Sequence, residues 1–156
     1  MRTFRMVTLW RLPAERTAVW EALADVRGWP RWWPGIEAVE LLEPGDDAGL
    51  GRTARLTVDS GLGYRLTFTV RVTQVDEGRG LTARSIGHLV GTGHVVLADT
   101  TFPRGVGTAV TTVWEVALTR WWMRPLVPLG APVLRRRHDV VMRRGERGLQ
   151  EQLRRR

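Results

Sequence analysis

A strand, two short helical segments, a long run of nothing but strand patterns, and one long helix over the last quarter follow one another in this chain. That order constrains the fold more than any motif does. A sheet with one long helix to cover it must curl around that helix, and a curled sheet can leave a hollow that side chains do not fill. The order therefore predicts a binder of an apolar small molecule.

The periodicities supply the elements. Phe4, Met6, Thr8, Trp10 and Leu12 alternate with Arg5, Val7, Leu9 and Arg11, as a half-buried strand requires. Pro13 suits the first turn of a helix and Glu15 its positive end. Val19, Trp20, Leu23 and Val26 recur at helical spacing, and Gly28 offers a left-handed stop. Pro30-Arg31-Trp32-Trp33-Pro34 permits one more short helical turn. Strands follow at Ile36–Leu42, Arg52–Val58, Tyr64–Thr73, Leu81–Val90, His94–Asp99 and Thr108–Leu118, the Gly91-Thr92-Gly93 triplet marking a break. With the first, these make about seven antiparallel strands. Pro132 can open the final helix, where Leu134, His138, Val141, Met142, Gly145, Leu149 and Leu153 form an apolar stripe. From Ala131 to Leu153 it would run about 35 Å, enough to cross the sheet. Gly145 and Gly148 cost it about 1 kcal/mol each in propensity, which implies a need for room.

Composition narrows the chemistry. At 156 residues one domain, 1–156, is expected. Cysteine is absent, which excludes disulfides, thiolate nucleophiles and cysteine-bound zinc; lysine is absent too, which excludes a lysine Schiff base. No apolar stretch is long enough to span a membrane, and the start does not read as a signal peptide, so a cytoplasmic protein is expected. The net charge of +8 lies wholly in residues 120–156.

A resemblance runs through nearly the whole length. Its residues are Leu12-Pro13-Ala14-Glu15, Val19-Trp20-Glu21-Ala22-Leu23-Ala24-Asp25 and Trp29-Pro30-Arg31-Trp32-Trp33-Pro34-Gly35. Gly87-His88-Leu89-Val90-Gly91-Thr92-Gly93, Gly107-Thr108 and His138-Asp139-Val140-Val141-Met142 with Gly145 and Gly148-Leu149 continue it. The chain resembles the START-like (SRPBCC) superfamily, which includes the birch-pollen-allergen type, and within it the bacterial polyketide cyclase/dehydrase and lipid transport proteins. The resemblance implies an α+β helix-grip fold: a curved antiparallel sheet around a long C-terminal helix, with two short helices after the first strand. It implies function only loosely, because the superfamily holds lipid carriers, hormone receptors, aromatase/cyclases, coenzyme Q-binding proteins and oxygenase subunits. The oxygenase option fails, since His88, His94 and His138 lack the spacing of a two-histidine, one-carboxylate site. No metal and no cofactor are expected.

The candidate cavity residues are Trp33, Leu56, Tyr64, Leu66, Phe68 and Thr112, with Trp114, His138 and Met142, and His94 and Val96 if their strand faces inward. Each has a plain core reading beside the binding one. Trp32 reads as a plug for the end of the sheet; Trp121, Trp122 and Met123 read as either plug or rim of an entrance. Three functions follow. The favoured one is a non-enzymatic carrier of a lipid, polyketide or isoprenoid-like molecule. The second is a polyketide cyclase, aromatase or dehydratase, with His138 as the acid–base group and no evident second partner. The third is peripheral contact of the arginine-rich helix with an anionic membrane or nucleic acid; the motifs of nucleic-acid readers are missing, which disfavours the latter.

Overall fold

A computed structural model describes residues 3–61, 63–118 and 126–155. Strand β1 (Thr3–Leu12) leads to helix α1 (Arg16–Ala24), a 3₁₀ turn at Val26–Gly28 and helix α2 (Trp29–Trp32). Strands β2 (Ile36–Glu43), β3 (Thr53–Asp59), β4 (Arg65–Asp76), β5 (Gly80–Gly87), β6 (Leu89–Phe102) and β7 (Gly105–Leu118) follow, and helix α3 (Leu126–Arg154) ends the chain. The seven strands form one antiparallel sheet in the order β1-β7-β6-β5-β4-β3-β2. This is the helix-grip arrangement. The first strand pairs with the last, so α1 and α2 carry the chain from one edge of the sheet to the other.

Curvature has local causes. Register shifts at Ile36/Ala38 and Leu41/Glu43 between β2 and β3, and at Val72/Gln74 between β4 and β5, put extra residues on one strand and bend the ladder. Under the bend lies the core, where Trp10, Leu12, Val19, Leu97, Val110 and Leu149 are all at most 3 % exposed. Thr108 joins them because its hydroxyl donates to the Ala14 carbonyl at 2.8 Å, fastening β7 to the turn before α1.

Four boundaries differ from expectation. Gly91 and Gly93 do not break the chain but sit inside β6, and the turn falls at Gly87, whose φ is +108°. Both glycines answer close approaches from β7: a Cβ on Gly91 would lie 1.8 Å from the Glu115 carbonyl oxygen, and one on Gly93 2.6 Å from the Trp114 ring. Gly28 is not a left-handed stop, since its φ is −81°. It is small because the Asp25–Arg31 ion pair crowds it; a Cβ there would meet Asp25 Oδ2 at 2.7 Å. Helix α1 begins at Arg16, three residues past Pro13, with Val19 N–H reaching the Glu15 carbonyl. Helix α3 begins at Leu126 and contains Pro132 rather than starting there.

The glycines of α3 serve close packing. A Cβ on Gly145 would lie 2.5 Å from the Trp33 ring, and one on Gly148 1.6 Å from the Trp32 carbonyl oxygen. Helix α3 thus presses directly onto α2.

Candidate functional site

Between the concave face of the sheet and α3 lies a cavity of about 330 Å³. Strand parity builds its floor. In β7 the residues Val110, Thr112, Trp114 and Val116 alternate inward, and their partners in β6 are Leu97, Val95, Gly93 and Gly91. On β4 and β5 the inward set includes Leu66, Phe68, Val70, Leu81, Ala83 and Ser85. His138, Val141 and Met142 of α3 form the roof.

Tryptophans close the end beside α1 and α2. Trp33 stacks on Trp32 with centroids 5.4 Å apart and meets Trp10 edge-on at 5.1 Å. Its indole N–H donates to the Val141 carbonyl at 2.9 Å, which locks α2 to α3. Trp29 donates to the Leu23 carbonyl at 3.2 Å. Trp32 is buried, only 7 % exposed, with its ring stacked on Trp33.

Among the described residues, polar groups form a minority of the cavity wall, and several of them are already engaged. Ser85 donates to the Leu89 carbonyl at 2.8 Å, and Ser60 to the Tyr64 carbonyl at 2.7 Å. Arg52 donates to the carbonyls of Ala24 at 3.1 Å and Pro44 at 3.0 Å. Burial raises the Tyr64 phenol above its ordinary value, with a hydrogen bond involving Ser60 working the other way, so it stays a neutral hydroxyl at physiological pH. Two buried ring nitrogens, His138 Nδ1 and Trp10 Nε1, have no hydrogen-bond partner among the described residues. Asp139 lies 3.8 Å from the His138 nitrogen, too far to bond it. Desolvation lowers the His138 pKa, and the nearby Asp139 charge offsets this only in part, so the imidazole is neutral at pH 7.

Of the residues singled out from sequence, Trp33, Leu56, Tyr64, Leu66 and Phe68 line the cavity, as do Thr112, Trp114, His138 and Met142. His94 and Val96 do not. Both lie on the convex face, Val96 54 % exposed and His94 against the Thr82 hydroxyl at 3.0 Å. Gly93 must face inward to admit the Trp114 ring, which turns Val95 and Leu97 in and their neighbours out. Trp121, Trp122 and Met123 lie outside the described residues. His88 is half-buried, its Nδ1 accepting from Thr67 N–H at 3.0 Å. Sequence reasoning missed Trp10, Ser60 and Ser85 as lining residues; the alternation of β1 that turns Phe4 inward already marked Trp10. Among the described residues no three His, Asp or Glu side chains gather as a metal would need. No helix among them is long and apolar enough to cross a membrane.

A family model described as polyketide cyclase / dehydrase and lipid transport matches residues 12–144. No curated protein matches the sequence. Among solved structures, a START superfamily protein from Mycobacterium smegmatis superposes with a TM-score of 0.72 at 16 % identity, covering 95 % of each chain. The Zhui aromatase/cyclase from Streptomyces sp. R1128 gives 0.65 at 23 % identity, covering 96 % of this chain and 90 % of that one. The di-domain ARO/CYC BexL from the BE-7585A biosynthetic pathway gives 0.70 at 18 % identity, covering 96 % of this chain but 49 % of its own. Likeness at such identities speaks for the fold alone.

Proposed function

We propose, from the premise that this chain belongs to the polyketide cyclase / dehydrase and lipid transport family, that its cavity receives an apolar small molecule such as a lipid, polyketide or isoprenoid-like compound. One observation carries this reading: about 330 Å³ of space walled mainly by aliphatic and indole side chains, with polar groups a minority of the wall among the described residues. Affinity would come from burying ligand surface at about 25 cal/mol per Å². His138 Nδ1 and Trp10 Nε1 are available to orient a polar group on the ligand. The favoured role is carriage or storage without chemistry.

Mass spectrometry of an organic extract of the purified protein should find a retained apolar compound. Failing that, added apolar probes should quench the tryptophans around the cavity. Neither a retained compound nor any quenching would remove this reading.

A second reading, cyclisation or dehydration of a polyketide-like chain, draws support from His138 alone. A neutral imidazole on the cavity roof, its buried Nδ1 without a hydrogen-bond partner among the described residues, could take or give a proton there while the walls hold a flexible chain folded. His138→Ala should then abolish turnover and keep binding; unchanged turnover would end it.

A further inference from the structure

Among the described residues three arginines stand on the cavity wall, and only one of the three is answered. Arg52 spends its guanidinium on two backbone carbonyls. Arg135 and Arg137 of α3 also line the cavity, yet neither forms an ion pair or hydrogen bond among the described residues. At about 100° per residue the two fall on opposite sides of His138, so they flank the polar stretch of the roof. Arg137 reaches across the β3–β4 turn: a Cβ on Gly61 would lie 3.0 Å from its Nη1. That puts its charge at the end of the cavity where Ser60 and Tyr64 stand. The acids nearby leave it unneutralised. Asp59, which also lines the cavity, accepts the Gly61 N–H at 2.9 Å but forms no ion pair with Arg137 among the described residues, and Asp139 is exposed beside His138.

We propose that Arg135 and Arg137 form an anion clamp at this end of the cavity, and that the ligand is an apolar body ending in a carboxylate or phosphate. The inference rests on the cavity-binding reading and adds the class of head group. A guanidinium fork matches both anions, and charge-assisted bonds to it are stronger than neutral ones. Both arginines are exposed, so solvent screens the gain. A preference of about tenfold for charged over neutral heads is the expected scale.

The test compares dodecanoic acid, dodecyl phosphate and methyl dodecanoate by tryptophan quenching, in the wild-type chain and in R135Q/R137Q. The acid or the phosphate should bind about tenfold tighter than the ester, the better of the two identifying the head. The double variant should lose that preference, keep the wild-type affinity for the ester, and melt as the wild type does. Equal binding of all three, or a preference that survives both substitutions, overturns the clamp and leaves the cavity reading intact. If none of the three binds the wild type, the cavity reading falls, and the clamp with it.

Discussion

His138 shows how much one side chain can reveal about its surroundings. It lies on the inner stripe of α3, 19 % exposed, with Nδ1 unpaired and the pKa pushed down by desolvation. The sign of the resulting pH dependence follows. Above the ordinary value of 6.5 the imidazole is neutral in both folded and unfolded chains, and its neutrality costs nothing. As pH falls below 6.5 the unfolded chain takes up the proton first, so stability declines until the folded form titrates as well. Denaturant melts from pH 8 to pH 5 should show wild type losing stability relative to His138→Gln, and parallel profiles would contradict it. The same stripe made His138 legible as an inward residue from sequence. His94 was not legible in this way, because His94-Val95-Val96-Leu97-Ala98 is apolar at both parities and leaves the facing open. Only the pairing of Gly93 with Trp114 resolves it, and pairing across strands is not written in either strand alone.

At the scale of elements, strands with clean wet–dry alternation were readable, as β1, β4 and β7 show. Glycine-rich and proline-rich stretches were not, because the same residue serves two purposes. Gly91 and Gly93 look like punctuation in sequence but act as clearance for Glu115 and Trp114. Pro132 looks like a first-turn proline, yet α3 already runs from Leu126. Gly148 is the sharpest case of a glycine kept for room. Alanine there gains about 1 kcal/mol of helix propensity, but its methyl would meet the Trp32 carbonyl oxygen at 1.6 Å, a backbone atom that cannot swing aside. Overpacking, at the upper end of its usual range, should win by about 2 kcal/mol net, a fall of about 4–8 °C in melting temperature for a chain of this length. Gly148→Ala melting at or above wild type would mean that α3 does not press on α2 as closely as described.

For the whole molecule the cavity is a cost as well as a site. Empty apolar space in an enclosed core costs about 24 cal/mol per Å³, and the walls of this cavity of about 330 Å³, partly open to solvent, bear a share of that cost. Domains are stable by only about 5–15 kcal/mol in all. A sheet that stays curled around such a space therefore does so against its own packing, and whatever fills the space should stabilise the fold. Filling it from within should do the same. Ala83 is 3 % exposed and turns its methyl into the cavity from the middle of β5. Ala83→Leu should add about 1–2 kcal/mol and raise the melting temperature by about 3–6 °C. It should also weaken binding of a cavity-sized apolar probe about tenfold or more, because leucine and ligand claim one volume. The two effects must appear together. A lower melting temperature with probe affinity unchanged would mean that the wall beside Ala83 is already packed and that ligand, if it binds, binds elsewhere.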